Sequence, residues 1–213
     1  METIKSPAEQ KVILHNVSWG TYERLMDERG ESRVPRFAFD RGKLEIMSPQ
    51  AEHESISYAT ALLIEVLAEE MDVDVYGLGS TTFKREDLGR GFEPDQCFYI
   101  KDRELVRAKE RLDLAIDPPP ELVVEIDITS PSLNKLPIYA RLGIREVWRY
   151  DEERMRILGL EDDGYVERPA SLALPTLTND VLTRFAVEGA KRGRRVWMRE
   201  VREWAQGHAL PSN

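Results

Sequence analysis

The run Leu122-Val123-Val124-Glu125-Ile126-Asp127-Ile128 puts two carboxylates into an otherwise apolar segment. Its β-branched residues predict a buried central strand. Side chains alternate along a strand, so Glu125 and Asp127 share a face with Val123. Two carboxylates on one buried face repel each other and lose hydration unless something positive lies between them. One arrangement places a metal ion there; the other places the strand at a sheet edge with both groups in water. Thirty residues before Glu125 stands Glu93-Pro94-Asp95. Pro94 donates nothing to a ladder, so the chain can bend there and turn Asp95 toward a neighbouring strand. Downstream, Lys135 lies within about 60° of Ile138, Tyr139 and Leu142 around a helix. A lysine in that apolar arc either snorkels to solvent or aims at the carboxylates of the preceding strand. Asp95, Glu125, Asp127 and Lys135 form the candidate catalytic set, and the three acids are the candidate metal ligands. Oxygen ligands without thiolates favour Mg²⁺ or Mn²⁺. A cation held by carboxylates activates a water and neutralises a phosphodiester, and an ammonium stabilises the developing charge. That is the chemistry of a metal-dependent nuclease.

Two further residues are accessory candidates. His53 stands at the start of a long predicted helix, as a structural hydrogen-bonder or a proton shuttle at the site's mouth. Glu65 interrupts the most apolar stretch of the same helix, as a solvated side chain or a further ligand. Between residues 189 and 202, Lys191, Arg192, Arg194, Arg195, Arg199 and Arg202 oppose only Glu200. This run is either a phosphate-binding strip or the solvated face of a helix whose other side packs Trp197, Val201 and Trp204.

The elements that must position these groups follow from local pattern. Ser18 caps a short helix through Tyr22, Leu25 and Met26, stopped by Gly30. Residues 36–39 and 43–47 read as a hairpin across Asp40-Arg41-Gly42. Ser48-Pro49 reads as a cap and first helical residue before a helix over 51–71, whose stripe is Ile56, Ala59, Leu63, Val66 and Leu67. Residues 73–76, 81–84 and 92–100 are strand-like, the last broken by Pro94. The charged segment 101–120 reads as a surface excursion. A strand over 121–128, a helix from Ser130-Pro131 to Leu142 closed by Gly143, and a strand over 144–150 form a strand–helix–strand unit. A hairpin (154–160 with 165–166) and helices over 178–190 and 196–205 complete the chain. The pattern implies a mixed sheet with helices on its faces.

The chain has 213 residues, 41% of them apolar and 32% charged, with a net charge of −9. Such a composition excludes a mainly disordered chain, and the negative charge argues against retention on nucleic acid or anionic membrane by bulk charge. A local basic groove is still compatible with it. The single cysteine, Cys97, excludes an internal disulfide framework and fits a reducing cytoplasm. No signal-like apolar region appears near Met1, and no stretch is long and apolar enough to span a membrane.

Gly42 to Pro49, His53, Glu93-Pro94-Asp95, residues 122–131, Lys135, Tyr139 and Gly143 through Trp148-Arg149-Tyr150-Asp151 occur in this order. The set resembles the Uma-two-type "putative restriction endonuclease" family of bacteria, which is similar to the PD-(D/E)XK nucleases. The resemblance implies an α/β restriction-endonuclease-like fold: a mixed β-sheet core flanked by helices, with an N-terminal hairpin and C-terminal helices. The chain length predicts a single domain over 1–213, in which the resemblance covers a nuclease-like core over about 19–177 and leaves a helical extension over about 178–213. Asp95 then matches the motif's aspartate and Glu125 its second acid. Asp127 stands where the motif's lysine is expected. Members of the family often carry that lysine on the following helix, which implies Lys135, with Asp127 as a further ligand or as its partner. DNA is the implied substrate, and cutting two strands implies a homodimer with Trp197, Val201 and Trp204 as candidate contacts. The competing readings are a catalytically silent domain that binds nucleic acid or protein, and a phosphoesterase acting on a smaller substrate.

Overall fold

The computed structural model describes residues 10–128, 133–162 and 164–208. In chain order the elements are β1 (Gln10–Leu14), α1 (Trp19–Arg29), β2 (Arg36–Asp40), β3 (Lys43–Ser48), α2 (Ala51–Glu70), β4 (Tyr76–Gly77), β5 (Phe83–Arg85), β6 (Arg90–Phe92) and β7 (Gln96–Tyr99). They continue with α3 (Arg103–Arg107), β8 (Leu122–Ile126), α4 (Leu136–Leu142), β9 (Glu146–Tyr150), β10 (Met155–Glu161), β11 (Gly164–Glu167), α5 (Asn179–Lys191) and α6 (Arg194–Gly207). The fold is mixed α/β, as the sequence predicts, but its strands form two sheets. The smaller has the order β1-β3-β2-β6-β5 and is antiparallel throughout. The larger has the order β11-β10-β9-β8-β7-β4, with β8 and β9 as its parallel pair.

Three apolar layers hold the elements together. Leu122, Val124 and Ile126 project from β8 toward α2, α5 and α6, where Leu63, Leu67, Phe185, Trp197 and Val201 meet them. Val123 projects from the opposite face into a layer with Phe83, Phe92, Tyr99, Ile138 and Tyr139, between the two sheets. Tyr22 of α1 stacks on Phe39 and seals the far side of the smaller sheet. Trp197 and Val201 are therefore buried within the chain and are unavailable as dimer contacts. The C-terminal helices complete the largest core.

Local chemistry explains most boundaries. The Ser18 hydroxyl accepts from Thr21 N–H at 3.1 Å and caps α1. Arg41 and Gly42, both at positive φ, make the tight turn of the β2–β3 hairpin. Three boundaries differ from the sequence pattern. Ser48 ends β3, and Gln50 precedes α2 without a side-chain cap. The strand expected over 92–100 is two strands in different sheets, β6 and β7, because the chain crosses between sheets at Glu93-Pro94-Asp95. The helix expected from Ser130 begins at Leu136. Residues 129–132 lie outside the described residues, but Leu133 to Lys135 are not helical. Pro137 accounts for this start: proline belongs in a helix's first turn and would break an interior.

Candidate active site

The site lies at the C-terminal end of β8, in the seam between the sheets. By extension of the β7–β8 register, Asp95 stands across from Glu125. Asp95 is 1% exposed, and its Oδ2 accepts the Ile126 N–H at 2.6 Å. Arg36 of β2 reaches across the seam, donating Nη1 to Asp95 and Nη2 to Glu54 at 2.6 Å. The His53 ring is fully buried, with Nε2 3.2 Å from Asp95 and Nδ1 3.7 Å from Glu54. Burial alone would raise the Asp95 pKa. The His53 ring and the Arg36 and Lys135 cations overcome it and hold the carboxyl well below the usual range.

Glu125 is also buried, and its two oxygens carry different partners. Oε2 accepts from Lys135 Nζ at 2.6 Å, and Oε1 accepts from the Tyr139 hydroxyl. Lys135, at the position preceding α4, and Tyr139, one turn on, therefore face the same carboxylate. Burial pushes Glu125 up to about 7; the Lys135 cation opposes this, and the Asp95 and Asp127 charges add to it. Lys135 is held above its ordinary value because the attraction of Glu125, Asp95, Glu45 and Asp127 outweighs its burial.

Asp127 follows the last residue of β8 and lines the same pocket as Glu125, Lys135 and Tyr139. Its partners include Arg149 Nε at 2.8 Å and Lys11 Nζ at 3.4 Å, and the Lys135 ammonium contacts Glu125. Glu65 is exposed on α2 beside Gly77 of β4, three turns from His53, and does not join the cluster. His53 does join it, through Asp95.

Sequence reasoning missed the groups supplied by the smaller sheet. Arg36 shares a strand face with the apolar Ala38, and Glu45 shares one with Met47, so a charge on a core-facing position was the available signal. Glu45 is 1% exposed and accepts the Leu133 N–H at 2.7 Å, which ties the segment before Lys135 to β3. Lys11 carried no such signal.

The basic run near the C-terminus is interleaved with acids. Arg192 pairs with Glu188 at 2.9 Å and Glu200 at 2.6 Å, and Arg202 with Glu69 and Glu70 of α2 at 3.3 Å. Arg194 lies over the Tyr58 ring and donates to its hydroxyl at 2.7 Å. Lys191 and Arg195 are exposed. The local charge count could not see the acids of α2.

The sequence profile of the Uma2 family, described as "Putative restriction endonuclease", matches residues 19–188. The chain belongs to this family. Among solved structures, it is similar to one described as a putative nuclease belonging to DUF820 from Anabaena variabilis ATCC 29413. The identity is 16%, the TM-score 0.51, and the match covers 75% of this chain and 96% of that one. No curated protein matches the chain. Among the described residues, no helix is long and apolar enough to cross a membrane.

The donor set of this Uma2 chain can be weighed against the divalent cations typical of restriction-endonuclease-like proteins. Among the described residues, no three His, Cys, Asp or Glu side chains form a ready-made cage. Mg²⁺ does not require one, because it binds through one or two carboxylates, with waters and phosphate oxygens completing the shell. A carboxylate offers about four lone-pair positions. Asp95 uses three, on Arg36, Ile126 and His53, and Glu125 uses two, on Lys135 and Tyr139. Hard oxygen donors with spare lone pairs, in a site where carboxylate charges already repel, suit such an ion.

Proposed function

We propose that the chain is an endonuclease that hydrolyses DNA phosphodiester bonds at the Asp95–Glu125–Lys135 cluster, with Mg²⁺ or Mn²⁺ held by Asp95 and Glu125. The observation that carries this is the Lys135 ammonium, 2.6 Å from a buried carboxylate whose neighbour across the sheet is a second buried acid. It supports the view that the nuclease lysine has moved from the position of Asp127 to the start of α4. When bound, such a cation polarises a phosphoryl oxygen and supplies an activated water.

The chain's own groups have separate tasks. Lys135 is a fixed positive charge that orients a water and stabilises the negative charge of the phosphorane. Glu125, held by Lys135 Nζ and the Tyr139 hydroxyl, keeps spare lone pairs for the cation. Arg36 and His53 keep Asp95 ionised. Tyr139 donates to Glu125 and fixes its rotamer. Double-strand cleavage extends the proposal to a two-fold dimer.

The test is cleavage of supercoiled plasmid and of single-stranded DNA with Mg²⁺ or Mn²⁺, with EDTA, and with Asp95→Asn. Cleavage that needs the cation and is lost in Asp95→Asn is expected. Equal cleavage by the variant would refute the assignment.

A further inference from the structure

Asp127, at the mouth of the pocket, is held between two cations. Lys11 approaches from β1, the one strand of the smaller sheet that precedes the stretch matched by the family. Arg149 approaches from β9, where the parallel register places it directly beside Glu125. Val147 faces the layer between the sheets, so Arg149, two residues on, shares the face that carries Glu125. The Asp127 carboxylate takes the Nε edge of the guanidinium at 2.8 Å. The Arg149 side chain is 37% exposed, and among the described residues neither Nη group has a partner. An arginine pinned at Nε and open at its Nη groups is pre-organised for phosphate, whose oxygens match the fork.

We infer that Arg149, pinned by Asp127 and backed by Lys11, is a phosphate-binding subsite for the backbone of a nucleic-acid strand entering the pocket beside Glu125 and Lys135. The inference rests on the nuclease reading. It gives Asp127 the task of positioning Arg149. Parallel strands present the ends of their chains to ligands at this edge, so a strand running past the C-terminal ends of β8 and β9 would meet Glu125 and Arg149 on adjacent positions. A purely structural staple between β1 and the larger sheet would use the same ion pairs, but it would not alter binding of a polyanion.

The test is fluorescence anisotropy of a labelled single-stranded oligonucleotide in EDTA, where no cleavage occurs, over a range of salt concentrations. Arg149→Met should weaken binding about tenfold at low salt and reduce the slope of log K against log salt by about one. Arg149→Lys should keep the slope, because the charge remains, and lose part of the affinity, because the fork is gone. Urea midpoints near that of the wild type establish that both variants fold. Wild-type affinity and slope in Arg149→Met would overturn the subsite while leaving the nuclease reading intact. A wild type that does not bind the oligonucleotide, yet is stabilised against heat by inorganic phosphate, would overturn the strand assignment, while the nuclease reading is decided by the cation-dependent plasmid assay. A wild type that binds neither would overturn the subsite.

Discussion

Replacing Lys135 by methionine keeps most of the side-chain volume and removes the cation from Glu125. In the wild type, Glu125 releases its proton at about 7 when folded and near ~4.3 when unfolded. Above pH 7 both states are ionised, so this group gives the wild type no pH slope there. Without Lys135, the folded carboxylate keeps its proton to higher pH, because burial and the Asp95 and Asp127 charges are then unopposed by that cation. The unfolded chain then binds fewer protons than the folded one, and stability falls as pH rises. The penalty of Lys135→Met should thus be independent of pH below 7 and should grow by ~1.4 kcal/mol per unit above it. Between pH 7 and 8.5 the growth is about 2 kcal/mol. Urea denaturation at pH 6, 7 and 8.5 measures this, and Glu125→Gln in the same background should erase the slope. A penalty that stays constant from pH 6 to 8.5 would refute the coupling between Lys135 and Glu125.

Two other outcomes are expected. Glu93 is 3% exposed and accepts both Nη groups of Arg29 at 2.6 Å, with the Phe37 N–H at 2.8 Å and the Thr82 hydroxyl as further donors. Arg29→Met leaves that buried charge without its counter-ion and should cost ~3–5 kcal/mol in urea denaturation, with much of it recovered by adding Glu93→Gln. On the nuclease reading, light scattering at working concentration should give the mass of a dimer; a monomer that still linearises plasmid would remove the two-fold argument.

Chemistry-bearing residues were more legible than the architecture that holds them. Glu125 stood out because a carboxylate in a β-branched run contradicts its surroundings, and Lys135 because a lysine occupied an apolar arc. Both now meet at one oxygen. The placement of Lys135 within a helix was mistaken, since Pro137 marks the true first turn. The second sheet was not legible, because strand-like runs carry no record of which neighbours they choose. Phe92 and Cys97 look like parts of one strand, and only the crossing at Pro94 assigns them to different sheets. Lys11, Arg36 and Glu45 were missed for the same reason: they become part of the site only through contacts 59 to 116 residues away in sequence, as with Arg36 to Asp95, Glu45 to Leu133 and Lys11 to Asp127.

The three-residue crossing Glu93-Pro94-Asp95 has a consequence for assembly. Its first residue is clamped by Arg29 and Thr82, and its last is held by Arg36 of β2 and by the end of β8. The crossing is too short to let either sheet drift without moving the other. A chain in which the larger sheet had formed alone would carry Asp95 without Arg36, and the segment before Lys135 without its tie to Glu45. The finished site, with Arg36 on Asp95 and Glu45 tied to the segment before Lys135, is thus a product of sheet docking, a non-local event. On the nuclease reading, a nascent or partly folded chain is inert toward nucleic acid, and its hydrolytic capacity appears only when the whole molecule has closed.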